Sequence, residues 1–333
     1  MKDVRDYSLK AHNTFGIDAR CSRFIEFENY EEAECAAAII RESEQPFLII
    51  GGGSNLLLTR NFEGIVVRSA IRFVQFDSER LLCGSGFEWD ALVDLCIANG
   101  YYGMENLSLI PGDVGACAVQ NIGAYGVEAK DIIERVWAIE IATGSQRIFS
   151  NEECQYAYRN SRFKGEWRNK YLITQVDFRL SRQFQPHLDY GNLRQELQKR
   201  GIITPDARQL RDVIIDIRRK KLPDPKELGN AGSFFVNPIV SRSKYEELAA
   251  RHADMPHYYI NKEQEKIPAA WLIEKCGWKG RSLGPAAVYD RQALVLVNKG
   301  GATGLDILEL CQAIQHDVSQ TFGIDLKPEV NVV

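Results

Sequence analysis

Nowhere in this sequence do about 18 apolar residues run together, and the N-terminal MKDVRDYSLKAHNTFG is too polar for a secretory leader. The expectation is a cytoplasmic protein that does not engage a membrane. There is no CxxC pair, and the five histidines show no zinc spacing against the eight scattered cysteines, so a metal site is not expected and the thiols read as reduced and mostly buried. Excess charge of either sign is missing as well. A net charge of −4 and a pI near 5.9 leave no footprint for nucleic acid, so any anion must be bound by a few local basic groups. No internal repeat and no low-complexity tract appear. What remains is an ordinary globular composition, 45% hydrophobic and 26% charged, with 333 residues, enough for two or three domains.

Against this background FLIIGGGSNLLL, Phe47 to Leu58, is unusual. Three consecutive glycines permit positive φ and close approach of another group to the backbone. Gly51, Gly52 and Gly53 form either a tight turn after a buried strand or an anion-binding nest, with Ser54 and Asn55 as added donors. The dinucleotide fingerprint fails because Leu56 occupies the third glycine position, and a P-loop fails because no Gly-Lys-Ser/Thr follows.

Strand and helix patterns alternate along the chain. A helix is expected over 30–41, opened by Asn29 with Glu32 completing a capping box, and strands over Phe47–Ile50 and Gly64–Arg68. A hairpin (72–76, 81–84) and a helical stripe from Trp89 to Gly100 begin a second unit. The stretch 106–126, NLSLIPGDVGACAVQNIGAYG, has no clean period and reads as a long functional loop. Strands then dominate (136–142, 147–149, 171–180). A helix capped by Thr204, with Pro205 in its first turn, runs to Lys221, where KLPDP suggests a boundary. Helices over 244–251, 269–276 and 305–321 and strands over 293–297 and 328–332 complete a third unit. The expected fold class is α+β in three domains: 1–69, with 327–333 returning to it; 70–221; and 222–326.

Two backbone-exposing loops suit a diphosphate with something attached. Downstream stand YAYRNSRFK, IRRKKLPDP, GNAGSFFVNP and PEV. Singly each has an ordinary explanation: RRKK as a solvated helix face, Ser233 as a turn cap, Glu329 as an exposed strand residue. Together, in this order and spacing, GGGSNLL, IPGDVGACAVQNIGAYG, YAYRNSRFK, KLPDP, GNAGSFFVNP and PEV resemble the UDP-N-acetylenolpyruvoylglucosamine reductase family over nearly the whole chain.

The resemblance implies non-covalent FAD in a bipartite site, NADPH as reductant, and a third domain for the nucleotide sugar. Hydride would reach the enolpyruvyl methylene, with the adjacent carbon then protonated. It places the FAD diphosphate at Gly51, Gly52, Gly53, Ser54 and Asn55, with Gly112, Gln120, Asn121, Gly123 and Ala124 completing the flavin site. Arg159 and Glu329 would stand beside the substrate carboxylate and Ser233 would donate the proton. Lys221, Asn237, Tyr258 and Gln292 would contact the substrate, and HLDYGNL resembles the segment of the longer subtype whose tyrosine, here Tyr190, closes over it. Asn160 and Asp113 depart from the usual pattern; a carboxylate at 113 near a diphosphate is unfavourable unless it points away. A sister flavoprotein oxidase would keep the glycine loops without needing Ser233, Arg159 and Glu329. A non-catalytic nucleotide-sugar sensor would keep the third domain alone, and a plain α/β interaction protein would need neither loop set.

Overall fold

The computed structural model describes residues 1–333. The chain divides into two compact units, and each is assembled from separate stretches of sequence. One comprises Met1–Tyr7, Cys21–Gly52 and Phe62–Arg218; the other comprises Ser8–Arg20, Gly53–Asn61 and Arg219–Val333. Residues 1–69 are shared between the two units, and the last break between them falls between Arg218 and Arg219, inside the helix Ala207–Lys221.

The first unit contains a four-stranded sheet in the order Lys2–Ser8, Arg20–Phe27, Phe62–Ser69, Phe47–Ile50. The strand Phe62–Ser69 pairs in parallel on both sides, and its run Ile65, Val66 and Val67 is buried, as a parallel strand covered on both faces requires. The crossover helix Tyr30–Glu42 lays Ala33, Ala36, Ala37 and Ile40 on Ile25, Phe27, Ile65 and Val67, one stripe at helical spacing. Asn29 caps it by accepting from the Glu32 amide at 2.8 Å. The Glu32 carboxylate accepts from the Glu28 amide rather than closing the expected box.

A second sheet in this unit is antiparallel, ordered Gln146–Ser150, Ile133–Glu140, Tyr171–Arg179, Arg80–Gly84, Val74–Asp77. Helices Trp89–Ala98 and Val114–Gln120 share one core with it. The second of these lies inside the stretch expected to be a loop. Val114, Cys117 and Ala118 bury one side of a single short helix, too brief a pattern to register as a period. The helix Ala207–Lys221 starts later than expected because Asp206, not Thr204, takes the cap: Asp206 and Gln209 exchange side-chain bonds with each other's amides at 2.8 and 3.1 Å. Leu210, Val213, Ile214 and Ile217 pack on Leu193 and Leu197 of a helix, Leu193–Lys199, that the sequence pattern did not announce. Arg211, 6% exposed, holds Asp90 through two bonds at 2.6 and 3.0 Å and reaches Asp94 at 3.2 Å, tying this helix to Trp89–Ala98.

The second unit has an antiparallel sheet ordered Gly229–Ser233, Val295–Asn298, Ala286–Val288, Ser282–Leu283 and a small sheet of Ile239–Ser241, Gln264–Lys266 and Tyr258–Asn261. The helix Gly304–Phe322 runs between a Thr303/Asp306 capping box and Gly323 in the left-handed conformation. Near the C-terminus, Asn331–Val332 pairs in parallel with Leu56–Leu57. No cysteine is disulfide-bonded; Cys35 is exposed, Cys276 is partly covered and the rest are buried, with burial pushing Cys96 up to about 12.

Glu105 is 4% exposed, and both its carboxylate oxygens accept from the Gly103 amide at 3.1 and 2.9 Å. Burial raises this carboxyl above its ordinary 4.5, against the Gly103 bond and nearby His187. Folding therefore favours the protonated acid. The stability this group contributes is complete below 4.5 and declines as pH rises through the raised value. Glu105→Gln, neutral throughout, is expected to flatten the decline in melting temperature between pH 4.5 and neutrality; parallel profiles for the two proteins would exclude Glu105 as the source.

Candidate active site

In the first unit the two glycine-rich loops meet. A Cβ on Gly52 would stand 3.1 Å from the Gly112 Cα and 3.3 Å from an Asp113 oxygen, and one on Gly51 would stand 3.1 Å from the Ala116 Cβ. Gly112 itself has φ of +123°, a conformation side chains rarely adopt. Bare, partly exposed backbone on both loops is the surface a diphosphate requires. Asp113 lies at this surface, and its carboxylate is held by a cation. Its side chain is buried against Arg68, 3.3 Å away, and Arg68 also holds Glu26 at 2.8 Å, so the carboxylate is turned into a charge network while burial raises its pKa.

Gly53 has a different reason to be glycine. It belongs to the second unit, is buried with φ of +69°, and a Cβ there would lie 1.9 Å from the His12 carbonyl oxygen. Asn55 likewise spends its side chain within the protein: Nδ2 donates to the Glu329 carbonyl at 3.2 Å, and the Asn55 carbonyl accepts from the Asn331 amide at 3.1 Å. Gly52→Ala is expected to weaken FAD uptake at least about tenfold while lowering the melting temperature of the flavin-free protein only modestly, as its Cβ shifts the Gly112 backbone slightly, whereas Gly53→Ala lowers that temperature sharply. Flavin titration and thermal melts distinguish them, and equal losses of stability in both variants would contradict this division.

Arg159 sits at φ of +54° in a tight turn closed by reciprocal Ala157–Asn160 backbone bonds of 3.0 Å. Its Nη2 donates to the Gly123 carbonyl at 2.8 Å, which aims the guanidinium along the second glycine loop without help from an aspartate at 160. Asn121, wholly buried, is the left-handed cap that turns the chain there: Nδ2 donates to Glu128 and the Ala157 carbonyl at 3.1 and 2.9 Å, and Oδ1 accepts from the Lys130 amide at 2.9 Å. Its side chain is thus committed to holding Gly123, Ala124 and the Arg159 turn in place. Lys164 bridges the Gln120 side chain and the Arg159 carbonyl at 2.9 and 3.0 Å. Tyr190 is 52% exposed and packs its Cβ 3.3 Å from where a Gly126 Cβ would be.

Lys164 and Arg218 were missed in the sequence. Arg218 lies within RRKK, which reads as a solvated face; its neighbour Ile217 is buried, and that helical register is the signal that turns Arg218 inward. The Arg218 Nε is buried without a hydrogen-bond partner, and burial lowers its pKa while Tyr125 and Asp90 support its charge and Arg159 opposes it. Two guanidiniums that oppose each other, beside a half-buried phenol, suit an anion.

In the second unit the segment that follows Ser233, Phe234–Val236, runs against Lys327–Glu329, although 95 residues separate Ser233 from Glu329 in sequence. The Glu329 amide donates to the Phe234 carbonyl at 2.8 Å, Phe235 bridges Pro328, and the Val236 amide donates to the Lys327 carbonyl at 3.0 Å. Ser233 is exposed at the end of its strand. Asn237 accepts from the Ala269 amide at 2.9 Å, Gln292 braces the turn before Val295, and Tyr258 is exposed beneath Lys266, whose Nζ is 5.4 Å from the ring centroid. Lys221 is exposed at its helix end.

Residues 22–150 match the FAD binding domain model, which defines the chain as a flavoprotein. Residues 224–333 match the model of the UDP-N-acetylenolpyruvoylglucosamine reductase C-terminal domain. Two curated relatives carry that reductase name. One, from Bacteroides fragilis (strain YCH46), is 49% identical over 98% of this chain and 99% of its own length; the other, from Burkholderia multivorans, is 47% identical over 97% and 95%. The crystal structure of UDP-N-acetylenolpyruvylglucosamine reductase from Thermus caldophilus shares the fold, with a TM-score of 0.69 at 23% identity over 99% of this chain and 98% of that one. The chain belongs to the UDP-N-acetylenolpyruvoylglucosamine reductase family, FAD-binding oxidoreductases of peptidoglycan biosynthesis.

Proposed function

We propose that this chain reduces the enolpyruvyl ether of UDP-N-acetylglucosamine enolpyruvate to the lactyl ether of UDP-N-acetylmuramate, with NADPH as electron donor. FAD, bound without a covalent link, supplies the hydride chemistry. The chain's own residues bind, orient and protonate. Gly51, Gly52 and Gly112 would admit the FAD diphosphate to bare backbone, with Gln120, Gly123 and Ala124 along the flavin. Arg159, aimed by the Gly123 carbonyl, holds the substrate carboxylate and offsets the charge that hydride addition pushes onto it.

The observation that carries this function is the bridge of Phe235 to Pro328, with the Glu329 amide donating to the Phe234 carbonyl, next in sequence to Ser233. It supports Ser233 as donor of a proton to the carbon beside the carboxylate, with Glu329 at the same reacting group. Two carboxylates at one place repel, so Glu329 serves there either protonated or bridged through a donor. Tyr190 closes over the substrate, while Lys221, Asn237, Tyr258 and Gln292 contact its nucleotide end. The cytoplasm is the compartment that suits a nucleotide-sugar substrate and NADPH.

Purified protein is expected to be yellow, to release intact FAD on denaturation and to bleach on addition of NADPH. A colourless protein unable to take up FAD would contradict the assignment. Ser233→Ala is expected to leave flavin reduction by NADPH largely intact and to slow reoxidation by the enolpyruvyl nucleotide about 10²–10⁴-fold, the usual contribution of a positioned acid. Rapid mixing separates the two steps. Loss confined to reduction by NADPH, or no loss in either step, would remove Ser233 from this role.

A further inference from the structure

Asn106 has no part in the chemistry above, yet its side chain joins two segments that carry site residues. It is 2% exposed, in the single turn Glu105–Leu107, and its Nδ2 donates to the Tyr125 carbonyl and to the His187 carbonyl, each at 2.9 Å. A primary amide has two such protons, and one goes to each segment. Both carbonyls lie close to working side chains. Tyr125 stands at φ of +49° with Gly126 at +83° after it, and Tyr190 packs on Gly126, three residues beyond His187. The next residue after His187, Leu188, is 9% exposed and anchors in the cluster of Leu193, Leu197, Leu210 and Ile214. The Tyr190 segment is thereby pinned on two sides, by an apolar anchor and by one buried amide, while Tyr190 itself stays half exposed.

We propose that Asn106 is a positioning residue: through its amide it sets the Tyr190 segment against the Tyr125 loop, and nucleotide-sugar binding by Tyr190 depends on it. This deepens the function proposed above and rests on Tyr190 closing over the substrate. No other residue type of this size offers two donors from one nitrogen. Aspartate has the same shape but, when ionised, faces both carbonyls with an acceptor, and alanine leaves both carbonyls without their donor.

Asn106→Ala and Tyr190→Ala, singly and combined, test the proposal in steady-state assays of the FAD-loaded enzyme. Asn106→Ala is expected to raise KM for the enolpyruvyl nucleotide about 10-fold or more, with a much smaller effect on kcat, and to add little in the Tyr190→Ala background. Equal effects in both backgrounds would overturn the proposal. Asn106→Asp provides a second arm that needs no turnover: trypsin is expected to cut the holoenzyme at Arg182 or Arg194, on either side of the segment, several-fold faster than in the wild type. Unchanged cleavage would overturn the clamp. A wild-type enzyme that does not turn over the nucleotide would instead sink the proposed function and leave the cleavage result standing.

Discussion

Backbone packed directly on backbone holds the second unit together. Gly53 lies against the His12 carbonyl, Gly229 against the Phe15 carbonyl and Gly304 against the Leu58 carbonyl; an added Cβ would stand 1.9, 2.4 and 1.8 Å from those oxygens. Such separations are far inside van der Waals contact, so each position admits no side chain without backbone movement. These contacts draw Ser8–Arg20 and Gly53–Asn61 into the same unit as Arg219–Val333. Once there, Asn55 can reach the Glu329 carbonyl, and Leu56–Leu57 can take the strand Asn331–Val332. The position of Glu329 against Phe234 is downstream of that packing.

Charge is managed by the same economy of local partners. The protein as a whole is mildly acidic, yet the region around Arg159 and Arg218 gathers two guanidiniums that oppose each other. Asp90 is not available to neutralise them fully because Arg211 holds it through two bonds. At the glycine loops Asp113 is matched with Arg68 and Glu128 with Lys130 instead. Acid is thus tied up on the flanks, and positive charge is left where a carboxylate or phosphate can use it.

The motif blocks and most helices and strands were legible in the sequence because each is a local pattern: an Asn29 cap, a stripe of alanines at 33, 36 and 37, an apolar run at 65–67. The α+β class followed from those. The division of labour within GGGSN was not legible, since whether Gly53 serves a ligand or the His12 carbonyl depends on a partner 41 positions away. Asn55 and Asn121 read as spare donors for the same reason; their partners are set by chain reversals that residue type does not encode. Arg218 was concealed by composition, because a run of four basic residues looks solvated until its register against Ile214 and Ile217 is fixed by packing.

The bond from the Asn55 side chain to the Glu329 carbonyl spans 274 residues, and within that span lies the whole stretch Phe62–Arg218 of the first unit. Closing so large a loop in an unfolded chain is slow, although its entropic cost grows only with the logarithm of length. If Phe62–Arg218 is already folded, that stretch no longer behaves as free chain, and the closure is left to its flanks, 56–61 and 219–328. The first unit can build both its sheets from contacts nearer in sequence, so it is the natural one to form early. The topology in this sense favours one order of assembly, in which folding of the first unit shortens the search that closes the second.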